Sequence, residues 1–290
     1  MEWKTDWGLR ARMGLTMFLL FALYVVFVGV LSTQFTSMLV PVILLGGFSL
    51  AQFFFSDKLT LWSMGAKEVS EDEYPELHRT VSRLSQQADL PKPKVAVVDS
   101  KIPNAFATGR SQKNAAVAVT TGLLRTLDRE ELEGVLAHEL AHVKNRDMMV
   151  MTIASFLSTI AFLVVRWGWW FGGDRGRNQA PVWVAILASL VVWIVSFVLI
   201  RALSRYREYA ADRGAASITG KPAALASALM TIDGNMSKVP KDDLREQSEM
   251  NAFFIIPIKG DFIGKIFSTH PSTEARVEQL RELEREMESA

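Results

Sequence analysis

Four stretches of this chain, residues 13–31, 38–55, 148–165 and 182–200, contain no charged side chain. In hydrocarbon every backbone N–H and C=O must find its partner inside the protein, so runs of this length cross a bilayer as helices, for which about 20 residues suffice. The first follows Lys4, Arg10 and Arg12 beside Trp3 and Trp7, and it reads as a retained span because a second apolar run comes almost at once. Pro41 and Gly46-Gly47 in the second are tolerable where neighbouring helices repack around them. Residues 34–37 close a first hairpin. A polar turn at 172–178, beside Arg166, Trp167, Trp169 and Trp170, closes a second with an interfacial aromatic belt. A buried hairpin of a globular domain is the rival reading of the second pair.

The intervening segments are soluble in character, which divides the chain into 1–55 with two spans, 56–147, a membrane hairpin at 148–200, and 201–290. With 49% hydrophobic residues and a mean hydropathy of +0.16, the whole is too apolar for an ordinary soluble domain. Lys4, Arg10, Arg12, Lys58, Arg201, Arg205 and Arg207 flank one side of the spans, and only Arg166, Arg175 and Arg177 the other. Basic residues stay in the cytoplasm, so the N-terminus and both soluble segments are expected there, on a multi-pass protein of the cell membrane. A net charge of +1 gives no sign of a nucleic-acid partner, and the absence of cysteine removes disulfides and thiolate ligands.

The chemistry concentrates at His138-Glu139-Leu140-Ala141-His142. Asp128 is a plausible N-cap for the apolar periodicity that leads into it, so the motif sits on a helix. Residues four apart share one helix face, which lets His138 and His142 direct two imidazoles at one metal ion. Glu139 reaches a water there without binding the metal, the arrangement of a metalloprotease general base. A hydrolytic zinc site needs three protein ligands and an open position. Glu208 is the chosen third, in Arg207-Glu208-Tyr209-Ala210-Ala211-Asp212 on the helical continuation of the fourth span, and Asp212, one turn later, can accept the free ring N–H of a liganding histidine. The plainer reading pairs Glu208 and Asp212 with Arg205 or Arg207 across a helix surface. Against it, His142 stands roughly 9 Å outside the start of the third span and Glu208 roughly 12 Å outside the end of the fourth, at about 1.5 Å per residue. The two ligands share one height above the cytoplasmic membrane surface.

Around this helix a small sheet is expected, with strands at 94–98, 105–108 and 115–120 after a helix that begins near Tyr74-Pro75 and ends before Pro91. Either 104–108 or 115–120 is a candidate edge for aligning an extended substrate, unless the strands simply back the helix. His78 reads as a packing or surface residue. Further on, 221–230 reads as a helix, 234–247 as a charged loop, 251–258 as a buried strand or groove lining, and 274–288 as a charged helix.

HELAHVKNRD at 138–147, EYAAD at 208–212, NAFATG at 104–109 and STHPS at 268–272 resemble the HtpX-type membrane zinc metallopeptidases, in the broader class of the CAAX prenyl endopeptidase. The resemblance covers nearly the whole chain. It implies an α+β, mainly α protein, with four transmembrane helices and a cytoplasmic zincin-like metalloprotease domain holding a small β-sheet. One Zn2+ is held by His138, His142 and Glu208, and Glu139 is catalytic. In the broader class a pair similar to His270 and Arg276 lies near the zinc, where either side chain can stabilise the oxyanion. Polypeptide substrates, above all misfolded or damaged membrane proteins, and the lipid bilayer are the implied partners. Site-specific processing of a lipidated or peptide substrate is an alternative, and a non-catalytic scaffold around structural zinc a weaker one, since a closed site needs a fourth ligand and only His78 and His270 are spare histidines.

Overall fold

Val95, Val97 and Ala96, Val98 alternate between two faces, and both faces are buried, which makes residues 94–98 the inner strand of a covered sheet. The computed structural model, which describes residues 7–34, 47, 54–55, 58–167, 182–236 and 270–289, holds a four-stranded mixed sheet in the order β1-β2-β4-β3. Its strands are β1 (Lys67–Glu68), β2 (Lys94–Val98), β3 (Ala105–Gly109) and β4 (Ala115–Thr120). β2 and β4 run parallel with Val95 opposite Val117, and β3 pairs antiparallel with β4, Ala107 opposite Val117. Three strands were expected. The fourth, β1, is two exposed residues long, too short to carry an alternation that sequence could reveal. β4, flanked on both sides, is not an edge, so of the two candidate edges only β3 remains.

The chain divides into two compact units: residues 1–5, 55–149 and 205–290 form one, and 6–54 and 150–204 the other. In the first, one face of the sheet carries Val95, Val97, Val117 and Val119 into a core with Leu84 of α3 (Pro75–Gln87), Leu136 and Leu140 of α5 (Arg129–Lys144), and Leu229 and Ile232 of α8 (Pro222–Met236). The other face packs Ala96, Val98, Phe106 and Ala118 against Leu61, from the short helix α2 at 58–63, and Met64. α4 (Thr121–Thr126) starts on a Thr120 side-chain cap, and α9 (Thr273–Glu288) on Ser272.

The position of α5 is fixed at both ends. Asp128 accepts the Glu131 N–H at 2.9 Å while the Glu131 side chain accepts the Asp128 N–H at 3.2 Å, a reciprocal cap that satisfies two otherwise orphaned donors. Glu131 also takes the hydroxyls of Ser227 (2.7 Å) and Thr231 (2.9 Å) from α8. At Gly134 an added Cβ would stand 2.9 Å from the Leu225 backbone nitrogen, so the missing side chain is what lets α5 and α8 approach. At the far end Gln112 donates to the Lys144 carbonyl at 2.9 Å. The helix then stops at Asn145, Arg146 takes a left-handed φ of 55°, and α6 (Asp147–Trp167) begins.

In the second unit α1 (Trp7–Gln34), α6 and α7 (Val182–Thr219) share a cluster of Leu20, Tyr24, Phe27, Ala154, Ala161 and Val192, with the Tyr24 hydroxyl donating to the Ala154 carbonyl at 2.6 Å. Among the described residues two helices are long and apolar enough to cross a bilayer, Trp7–Phe27 and Ile186–Thr219, with mean hydropathies of 1.6 and 2.5. Four spans were expected, so the count on these residues is two. The run 38–55 lies outside the described residues except for Gly47, Phe54 and Phe55, and 148–165 is helical within α6, although several of its side chains lie outside the description. The segments 168–181 and 237–269, with the expected turn at 172–178 and the apolar run at 251–258, also lie outside it. α8 extends to Met236, past the expected start of the loop at Gly234, because Ile232 and Met236 are buried and carry the helical face onward.

Candidate metal centre

Four-residue spacing on α5 brings His138 Nε2 and His142 Nε2 to 3.1 Å, with the rings edge to face at 87°. Glu208 reaches the same point from α7, with Oε2 3.6 Å from His138 Nε2 and Oε1 3.5 Å from His142 Nε2. Tetrahedral bonds of about 2.1 Å would set ligand atoms about 3.4 Å apart, so this His-His-Glu group has the spacing a zinc ion requires. The donors also suit it: two imidazoles and a carboxylate, the three protein ligands of a hydrolytic zinc site.

Behind His138 stands Asp212, with His138 Nδ1 2.9 Å from Asp212 Oδ1. Arg276 donates to Asp212 through Nη2 at 2.7 Å and Nε at 2.9 Å, and its Nη1 lies 3.4 Å from Glu208 Oε2. His270 Nδ1 is 3.0 Å from the same Glu208 oxygen. The structure thus brings His270 and Arg276 to the third ligand's carboxylate, with two of the three Arg276 nitrogens committed to Asp212. The buried side chains His138, Glu208, Asp212 and Arg276 are charged or chargeable, and they compensate one another. Burial raises the Asp212 carboxyl, and Arg276 with His138 outweighs it and leaves the group below the usual carboxylate range. At Glu208 burial is likewise overcome, by His270 and His138 foremost, and the carboxyl is held well below its ordinary value. Burial and the Arg276 guanidinium push His138 down, but Asp212 and Glu208 reverse this and lift the imidazole to about 9 without a metal.

Glu139 is buried beside the ligands, and its carboxyl moves the other way. Desolvation raises it, Glu208 adds to this, and the neighbouring histidines and an N–H donated by Ala107 of β3 only partly offset the rise. A carboxyl raised by burial suits a group that must take a proton and give it back. Two residues were missed from sequence. Ala107 contributes only backbone, which no motif of side chains reveals. Asp147, whose Oδ2 is 2.6 Å from His142 Nδ1, stands five residues after that histidine, a spacing that points away on an unbroken helix.

A helix-borne His-Glu-x-x-His pair completed by a carboxylate from a second helix defines a metalloprotease. The chain belongs to peptidase family M48, whose model matches residues 71–284. It is 57% identical to "Protease HtpX homolog 2" of Methanosarcina mazei over 99% of both chains. It is 56% identical to "Protease HtpX homolog" of Moorella thermoacetica over 98% of this chain and 97% of that one. Among solved structures, S. mikatae Ste24p shares the fold, with a TM-score of 0.56 at 19% identity over 92% of this chain. This chain spans 62% of that protein's length. The protein is a membrane zinc metalloprotease.

Proposed function

We propose that this protease degrades misfolded or damaged membrane proteins from the cytoplasmic face of the cell membrane, in which its long apolar helices anchor it. The observation that carries the reading is the convergence of His138, His142 and Glu208 within one zinc-ligand spacing, with the raised carboxyl of Glu139 between them. The names of the HtpX relatives and the basic side chains gathered on one side of the apolar runs support the placement.

His138, His142 and Glu208 would hold one zinc, which would supply Lewis-acid polarisation of the scissile carbonyl and a more acidic water. Glu139 takes a proton at its carboxylate from the attacking water and delivers it to the leaving amine. Ala107 N–H holds that carboxylate in place, and β3, the strand at the sheet edge, is the element along which an extended substrate would align. His270 steadies the oxyanion. Arg276, engaged by Asp212, acts mainly as a positioning residue. Main-chain pairing reads few side chains, which favours broad turnover of unfolded chains over processing at one site.

The test is cleavage of β-casein by the full chain in detergent. Wild type is expected to digest it, and Glu139→Gln to bind zinc and leave it intact. Digestion by the Gln variant would remove Glu139 from its role.

A further inference from the structure

Each histidine facing the metal point is backed by a carboxylate, and each carboxylate by a buried arginine. On one side the series is His138, Asp212, Arg276. On the other His142 Nδ1 meets Asp147 Oδ2 at 2.6 Å, and Arg207 Nε stands 2.9 Å from Asp147 Oδ1. We propose that Asp147, held by Arg207, is the positioning residue for His142, keeping the ring proton on Nδ1 and the Nε2 lone pair on the metal. This rests on the reading of His138, His142 and Glu208 as ligands.

Three features separate this from a helix cap that happens to touch a histidine. Asp147 is the first residue of α6, where a carboxylate is welcome at the positive end of the helix, yet a cap of that kind is normally exposed and Asp147 is 2% exposed. A buried carboxylate needs partners, and here they are an imidazole and a guanidinium. Next, at about 100° per residue, position 147 on a continued α5 would lie about 140° round the helix from His142. The chain interrupts the helix at Arg146, in a left-handed conformation that costs a residue with a side chain, and the interruption is what returns Asp147 to His142. Finally, Arg207 directly precedes Glu208, so one turn of α7 supplies both a metal ligand and the clamp on the carboxylate behind another ligand. Separation of α7 from the α5–α6 junction would therefore withdraw Glu208 and loosen His142 together.

The experiment measures zinc affinity of the detergent-solubilised full chain by competition with a chromophoric chelator, and the visible spectrum of its cobalt-loaded form. Loss of a carboxylate behind a liganding histidine lowers metal affinity by about 10- to 100-fold, so Asp147→Ala is expected in that range and Asp147→Asn near its lower end. The cobalt spectrum of Asp147→Asn should shift. Arg207→Lys should retain more affinity than Arg207→Gln, and the effects of Asp147→Asn and Arg207→Gln should be non-additive. If Asp147→Ala fails to fold, the near-isosteric Asn variant decides. Zinc affinity within about twofold of wild type, with an unchanged cobalt spectrum, would overturn the proposal. His142→Ala separates the two readings: equal zinc uptake by wild type and His142→Ala defeats the ligand assignment, whereas loss in His142→Ala with none in the Asp147 variants defeats only the positioning role.

Discussion

His138 Nδ1 lies 2.9 Å from Asp212 Oδ1 while its Nε2 faces Glu208 and His142, so the carboxylate holds the ring proton on the nitrogen that points away from the metal site. The arrangement sets the ring angle before any ion arrives and keeps the Nδ1 proton in place when the Nε2 proton gives way to a metal. It places strong charges in a water-poor interior, where each is tolerable only while its counterpart is present. The stability of this region and its affinity for metal are therefore two readings of one set of contacts.

Removal of Arg276 tests that coupling. Arg276 is 1% exposed and faces Asp212 and Glu208, so Arg276→Ala takes from buried Asp212 its main counter-charge and from Glu208 one of several. Breaking a buried pair costs about 3–5 kcal/mol. The fall in melting temperature should be larger without zinc than with it, because a bound cation offsets part of the uncompensated charge. Arg276→Lys should rescue only partly, since an ammonium cannot reproduce the two-pronged grip on Asp212.

Acid should weaken metal binding. With His138 at about 9 in the metal-free protein, a proton occupies the ring at neutral pH and must leave before zinc binds. Apparent zinc affinity is expected to rise about tenfold per pH unit between about pH 6 and 8 and to level off toward 9, measured by chelator competition. Without metal the sign reverses for stability: the raised pKa stabilises the fold fully below its ordinary 6.5, and that contribution is lost as pH rises through about 9. A flat affinity profile would contradict the assignment.

Ala107→Pro removes the N–H donated to Glu139. β3 is an edge strand and this N–H is directed at Glu139, so the sheet keeps its ladder to β4. The expected outcome is full zinc content with a kcat reduced by about 10-fold or more, in line with the loss of a group that holds an acid–base residue. Unchanged kcat would show that Ala107 has no part in holding Glu139.

Gly134→Val should destabilise the first unit by about 1–3 kcal/mol, as overpacking does when the obstacle is backbone. Thermal unfolding reads the loss. Glu131→Ala, which removes the side-chain half of the reciprocal cap and the two hydroxyl contacts from α8, should cost about 2 kcal/mol by the same measurement.

The parts legible in sequence were those whose signal is local. The i,i+4 histidines, the Asp128 cap and the Lys94–Val98 and Ala115–Thr120 strands each declare themselves within a few residues, and the structure holds them at those positions. Glu208 was reachable because α7 carries the apolar run straight into the acidic motif. What escaped depends on chain reversal. Asp147 is near His142 only because Arg146 breaks the helix, and Ala107 is near Glu139 only because the crossover between two parallel strands folds β3 back along β4. Arg276 was named only through the family resemblance, as an oxyanion candidate, and its hold on Asp212 needed the geometry of α9.

The most direct measurement is the zinc content of three purified full-length proteins in detergent, with casein hydrolysis alongside. Wild type should carry one zinc and be active, Glu139→Gln should carry one zinc and be inactive, and Glu208→Ala should carry none and be inactive. A Glu208→Ala protein that retained its zinc and its activity would contradict the three-ligand centre at its root.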